Sequence, residues 1–412
     1  MNKNILMKFN NTARFMFNKD EVIVCNRLNG LWIKISKECY DILKLGEDSK
    51  ITVEKLLCAL ADDEDRKYID ELITTLDSIG VLFEKIIPRK IKDISFAITH
   101  RCNLKCSHCI VDAAYGGQVD KYDTKTLCRL LDKVIKVNPQ GMVLTGGEPL
   151  LRKDFLTILK HVRDNYSGNI TLMTNGTLLN QDNISIIKDL VTNIDISLDG
   201  ADEDSCSIVR GPGVFQKVVN NIKLLKNNGF NKISISMILS ENNSFYVNEF
   251  FELNKSLGTN PMLRALSYSG RAAKNKELLD KKYTLRENQH TSKKETKYHT
   301  CTCTAGYDQL TIEANGDIFP CNLFVNKEFK LANIEEIEDL NQLFNTSKGE
   351  FLSPCVQKFE PQKFDKCKDC NINYFCWSCL YSIYDIKDHF EERCKYKKGI
   401  YADVWVNNEK RG

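Results

Sequence analysis

Several things are missing from this 412-residue chain. No run approaches the roughly 18 apolar residues that a membrane-crossing helix needs. The opening stretch, MNKNILMKFNNTARFMF, lacks the long apolar core of a secretory signal. There is no marked excess of one charge: 58 Lys and Arg against 55 Asp and Glu leave a formal +3, which is no footprint for a polyanion binder. No internal repeat or low-complexity tract is present. These absences point to a cytoplasmic chain with no membrane and no nucleic-acid partner. The length allows about two or three domains.

What is there is cysteine, seventeen in all. Nine fall between Cys301 and Cys394. A disulfide framework suits a small secreted domain, so metal ligation is the better reading here. A second concentration lies in ITHRCNLKCSHCI, Ile98–Ile110, directly after a strand-like run. Cys102, Cys106 and Cys109 are separated by three and then two residues. A tetrahedral zinc site usually shows CxxC pairs and a fourth ligand. Three close thiolates instead suit three corners of an iron–sulfur cube, with one iron left open.

Residues 1–85 read as a small α+β module. Short alternating runs (ARFMF, EVIVC, LWIKI) precede helical stretches near 36–45, 51–61 and 66–78, and GVLFE at 80–84 reads as a closing strand. This order is winged-helix-like. Thirteen Lys and Arg against fifteen Asp and Glu over Met1–Lys85, net −2, speak against DNA. A protein or peptide partner, or a structural role, fits better. Residues 93–266 then alternate strand and helix: DISFAIT, GMVLT, NITLMT, NIDISL, NKISISMIL and PMLRAL, with helices around 124–137, 153–165, 181–191, 215–228 and 244–256. Six such units predict an α/β fold with a parallel sheet, a partial (β/α)6 TIM barrel. Chemistry in such barrels sits at the C-terminal strand ends. The cysteines, GGEP, TNG and SLDG all fall there. Residues 273–300 are charged and weakly patterned, a linker or lid. The expected division is 1–88, 89–272, 273–300 and 301–412.

CNLKCSHC resembles the CxxxCxxC signature of the radical S-adenosylmethionine (radical SAM) enzymes. The resemblance implies a 4Fe-4S cluster on Cys102, Cys106 and Cys109. SAM would chelate the open iron through its amine and carboxylate, and an electron donor such as flavodoxin or ferredoxin would drive its cleavage to a 5′-deoxyadenosyl radical. His108 stands where the family borders adenine; packing beside the cluster is the alternative. Gly146, Gly147 and Glu148 resemble the family's GGE motif, in which consecutive glycines allow close backbone approach and the glutamate accepts from the SAM ammonium. Ser197 and Asp199, two apart on a strand end, face one side; by resemblance they touch the SAM carboxylate and ribose. Arg210 matches an arginine that pairs with that carboxylate. Asn175 is a further SAM contact or a turn residue before Gly176.

Cys303, twelve residues, Gly316, four residues, Cys321, and then Cys367, Cys370, Cys376, Cys379 and Cys394 are similar to the seven-cysteine pattern of SPASM domains. Two residues separate Cys376 from Cys379 where the pattern has three. The resemblance implies two auxiliary 4Fe-4S clusters. Cys303, Cys321 and Cys379 would hold the first, with Cys301 or Cys355 as fourth ligand, or none. Cys367, Cys370, Cys376 and Cys394 would hold the second. Cys25, Cys39, Cys58, Cys128 and Cys206 read as small hydrophobes. The front module resembles the PqqD-like recognition element of ribosomal-peptide (RiPP) maturases, which holds a leader peptide as an added strand; the edge near Leu31–Ile35 would take it. Together these resemblances imply a peptide maturase that acts on a precursor peptide with a leader. It would form a Cys-derived thioether, as sactipeptide and ranthipeptide maturases do. Carbon–carbon cross-linking, sulfatase (formylglycine) maturation and a non-catalytic cluster sensor are the alternatives. Asn322 stands where sulfatase maturases carry Asp after the cysteine. No general base is identifiable.

Overall fold

The computed structural model describes residues 3–83, 90–115, 119–239, 243, 246–279, 300–344, 353–377, 379–386 and 390–407. The chain divides into two compact units: Met1–Arg89 with Asn288–Ala305 and Thr346–Gly412, and Lys90–Glu287 with Gly306–Asn345. Most of the charged 273–300 segment, 280–299, lies outside the described residues.

In the first unit, β1 (Ala13–Asn18), β2 (Glu21–Asn26) and β3 (Trp32–Ser36) form an antiparallel meander. Three capped helices follow: α1 (Lys37–Asp48), α2 (Val53–Cys58) and α3 (Asp63–Ser78). Ser36, Thr52 and Asp62 each accept a backbone N–H of the first turn, which satisfies donors that the helix cannot. Val22, Val24, Ile33 and Ile35 pack one sheet face against Leu43, Leu56, Ile73 and Leu76. The closing strand expected at 80–84 does not form. Leu82 makes a single bridge to Phe9, and Phe83 has φ +58, a left-handed conformation that ends an extended run; Glu84 lies outside the described residues.

The other face of this sheet meets the cysteine-rich segment of the same unit. Trp32 stands edge-on to Phe375, 5.3 Å between ring centroids, and Lys34 Nζ donates to the Trp405 carbonyl. Arg27 is fully buried. Its guanidinium holds Glu360 Oε1 at 2.8 Å and donates through Nη1 to the Cys301 carbonyl at 2.5 Å.

In the second unit, β4 (Asp93–Ala97), β5 (Gly141–Thr145), β6 (Asn169–Thr174), β7 (Asn193–Ser197), β8 (Ile233–Leu239) and β9 (Asn260–Ala265) run parallel in sequential order. Between them lie α4 (Thr124–Val137), α5 (Phe155–Asn165), α6 (Gln181–Leu190), α7 (Glu203–Arg210), α8 (Val214–Asn227) and α9 (Val247–Leu257). Alternate residues such as Phe96, Leu144, Leu172 and Ile196 share one apolar core with Leu130, Ile158 and Ile222 of the helices. The helix α7 was not foreseen.

On the far side of β4, β10 (Gln309–Ile312) adds a seventh parallel strand, and β11 (Asp317–Phe319) and β12 (Ala332–Asn333) extend the sheet antiparallel. Residues 306–344 thus extend the parallel sheet beside β4. Gly316 has φ +87 at the β10–β11 turn, and a Cβ there would lie 2.3 Å from the Tyr122 hydroxyl. That explains the glycine of the cysteine pattern physically.

Two outcomes follow. Arg27→Met leaves Glu360 buried without its partner and should cost about 3–5 kcal/mol; thermal unfolding should show a smaller loss for the Arg27→Met/Glu360→Leu pair. Glu313, at the β10–β11 turn, is pushed up to about 7 by burial, with Asp317 adding to the effect. Its folded value exceeds its ordinary one, so the stability it contributes is lost as pH rises through about 7. Glu313→Gln should flatten the fall in Tm between about pH 5 and about pH 8.

Candidate functional site

The cysteine loop leaves β4 and is pinned by its backbone. Arg101–Cys102 pairs with Ala114–Tyr115. Ser107 N donates to Val209 O at 3.0 Å, and Arg271 N donates to Cys109 O at 2.8 Å. Arg271 also donates to the carbonyls of Cys106 and Ala113. Cys102 and Cys106 are buried and Cys109 is half-buried; all three are free of disulfides. Each sulfur has an N–H donor: Leu104 N and Asn175 Nδ2 at Cys102, Arg210 Nη1 at Cys106, and Ala113 N at Cys109. Burial pushes the Cys102 thiol up to about 11 and raises Cys106 as well. The bare thiols therefore keep their protons, and a metal must displace them.

Beside this loop lies a buried carboxylate. Asp199, just beyond β7, is fully buried. Its Oδ2 takes His108 Nε2 at 2.5 Å and Arg210 Nε at 2.7 Å, and its Oδ1 takes Ile238 N at 2.7 Å. Burial works to raise this carboxyl, but the charges of Arg210 and His108 and the hydrogen bonds overcome it and hold it well below the usual range. Arg210 thus links the carboxylate to the Cys106 sulfur. His108 Nδ1 is buried without a hydrogen-bond partner among the described residues. Ser197 closes β7 half-buried and stands outside this network.

The GGE loop meets the cysteine loop backbone to backbone. A Cβ on Gly146 would lie 2.3 Å from Thr99 O, and one on Gly147 would lie 2.3 Å from Arg101 O. Gly147 N and Glu148 N donate to those same two carbonyls. Glu148 is fully buried. Its Oε1 accepts from Thr174 Oγ1 and Leu150 N, and its Oε2 from Asn175 N. Burial raises the Glu148 carboxyl, and these bonds only partly offset it. Asn175 is a turn residue, accepting from Thr177 N, and also a neighbour of Cys102 and Asn103. Sequence reasoning missed Asn103 and Arg271; Asn103 fills an unspecified position of CNLKCSHC, Arg271 lies outside every motif, and both act through contacts distant in sequence.

In the first unit, burial raises the Cys367 and Cys376 thiols, and Cys370 and Cys394 stand close enough to add to the effect. Arg393 donates to the Cys376 carbonyl. Cys303 is pushed up to about 12 by burial, with Cys379 and Cys301 beside it. Cys355 instead lies 3.3 Å from Ser353 Oγ. Cys321 is buried after β11 in the barrel unit. Among the described residues, no three His, Cys, Asp or Glu side chains converge on a single metal ion. A cube does not require that, because each thiolate holds a different iron. Unbridged thiols with N–H donors, together with the orphaned His108 Nδ1, fit the ligand shell of such a cluster.

Asp199→Asn leaves Arg210 buried without a counter-charge, so it should cost about 3–5 kcal/mol at neutral pH. The Asp199 contribution is present above the ordinary carboxylate value and is lost only in strong acid, as pH falls through its depressed value. Reconstituted iron in the variant should fall by up to about four per chain. Unchanged iron and Tm would contradict this.

Comparison with known proteins places these features. Residues 96–253 match the Radical SAM superfamily, and residues 301–371 match the SPASM iron–sulfur cluster-binding domain. The antilisterial bacteriocin subtilosin biosynthesis protein AlbA of Bacillus subtilis (strain 168) is 27% identical over 337 residues, 74% of this chain and 70% of AlbA. The mycofactocin maturase MftC of Mycolicibacterium smegmatis is 25% identical over 268 residues, 58% of this chain and 67% of MftC. In fold, Streptococcus suis SuiB bound to precursor peptide SuiA is similar with a TM-score of 0.55 at 16% identity, covering 90% of this chain and 94% of SuiB. Among the described residues no helix is long and apolar enough to cross a membrane. The chain thus carries a radical SAM domain and an iron–sulfur cluster-binding SPASM domain, which imply a SAM-binding 4Fe-4S cluster and auxiliary clusters.

Proposed function

We propose that this chain is a radical SAM peptide maturase that joins a Cys to another residue of a ribosomally made precursor peptide through a thioether. The observation that carries the reading is the composition of the first unit. The three-stranded module and the cysteine-rich segment form one compact unit, tied by the buried Arg27–Glu360 pair and its bond to Cys301. A peptide-binding module built onto auxiliary-cluster cysteines suits an enzyme whose substrate is itself a polypeptide. AlbA, MftC and SuiB, named for bacteriocin biosynthesis, maturation and binding of a precursor peptide, support the same class.

In this reading Cys102, Cys106 and Cys109 hold the SAM-binding cluster. Bound there, the cluster and SAM supply a 5′-deoxyadenosyl radical by reductive cleavage of a sulfonium C–S bond. Glu148 Oε2 keeps acceptor capacity for the SAM amino group. His108 Nδ1 borders the same space. Arg210 and Asp199 fix the Cys106 side of the loop. Cys367, Cys370, Cys376 and Cys394 hold one auxiliary cluster; Cys303 and Cys379 serve the other, and the nearness of Cys301 to Cys303 supports Cys301 over Cys355 as its additional ligand. The leader peptide adds a strand at the edge of β3, which among the described residues pairs only with β2.

The test is anaerobic. The protein is reconstituted, its iron counted, and the protein incubated with SAM, reductant and the precursor peptide encoded beside its gene. About twelve irons per chain, three cubes of four, are expected. Mass spectrometry should show a peptide that has lost a pair of hydrogens and resists cysteine alkylation. The same loss with every cysteine still alkylatable would replace the thioether with a carbon–carbon bond. No SAM cleavage would overturn the enzyme reading.

A further inference from the structure

A polar group inside the barrel is not used by any step above. In β7, Ile194 and Ile196 belong to the apolar core packed on the helices. Successive strand residues point to opposite faces, so Asp195 and Ser197 face the barrel interior. In β8, Ile233, Ile235 and Met237 face the helices, which puts Ser234 and Ser236 on the interior face beside them. Asp195 is 4% exposed. Its Oδ2 holds Arg264 Nη2 of β9 at 2.5 Å. Its Oδ1 is buried with no hydrogen-bond partner among the described residues. The Arg264 side chain is one-third exposed, 33%, and among the described residues β9 ends the sheet with β8 as its one neighbour. The pair therefore holds, at the β9 end of the sheet, one unsatisfied buried carboxylate oxygen beside the remaining guanidinium N–H donors. Asp195 lies four residues before Asp199 in the chain, while Arg264 is in register with Ile238, whose amide meets Asp199.

We propose that Asp195 and Arg264 form a substrate subsite for a peptide group, with Asp195 Oδ1 accepting its N–H and Arg264 donating to its carbonyl. A peptide group presents one donor and one acceptor, which is the complement of what this pair leaves open. A buried acceptor without a donor is unfavourable, so occupancy satisfies a group that the fold leaves unmet. The subsite rests on the reading that the substrate is a peptide. It adds that the core segment is gripped by its backbone inside the barrel, apart from any leader contact on the module.

The experiment uses anaerobically reconstituted full-length protein with SAM present. Two fluorescein-labelled probes are titrated by anisotropy: the leader and core segments of the precursor encoded beside the gene. Asp195→Ala and the conservative Arg264→Lys should each weaken core binding by about tenfold or more, while leader affinity, SAM affinity and Tm hold. Core affinity unchanged in both variants would overturn the subsite and leave solvent as the partner of Oδ1. A parallel loss of SAM affinity would overturn it in favour of a SAM contact. If the wild-type protein binds neither probe, the peptide reading falls and the subsite falls with it.

Discussion

A carboxylate with no access to water governs the mouth of the barrel. Asp199 joins three segments that are far apart in sequence: the cysteine loop through His108, α7 through Arg210 and β8 through the Ile238 amide. A buried charge is tolerated only when it is paired and hydrogen-bonded. The three segments must therefore assemble together, and where they meet decides where Cys106 stands. Arg210 completes the link by reaching its sulfur. The same guanidinium sets positive charge beside the Cys106 sulfur.

Two backbone contacts complete the frame. The GGE loop and the cysteine loop touch so closely that neither Gly146 nor Gly147 has room for a side chain. This contact delivers Glu148 into the interior, where Thr174, Leu150 and Asn175 fix both of its oxygens. On the opposite flank, Arg271 ties down the carbonyls of Cys106 and Cys109 by side chain and amide. The loop is thus held by its backbone, and its sulfurs remain available to a metal.

The barrel was legible because its strands and helices carry clean periods. GMVLT and NITLMT form strands over the residues expected, and 124–137 forms the helix expected. The cysteines, GGE and SLDG announce a site because they recur at successive strand ends. What escaped is non-local. His108 and Asp199 are 91 residues apart, and nothing in either motif announces their bond. The strand at Gln309–Ile312 is short, and only its pairing with β4 reveals that it joins the parallel sheet. GVLFE has a strand's composition, but Phe83 turns left-handed within it. The short α7 is set by the Asp202 cap and not by a long apolar stripe.

The most direct test of the account is electron paramagnetic resonance of the reconstituted, reduced protein with and without SAM. If the loop held by Asp199 and Arg210 carries the SAM-binding cluster, one 4Fe-4S signal will change when SAM is added. That signal will vanish in Cys106→Ala, while signals from the cysteine-rich unit persist. A reduced spectrum indifferent both to SAM and to the loss of Cys106 would contradict the assignment at its root.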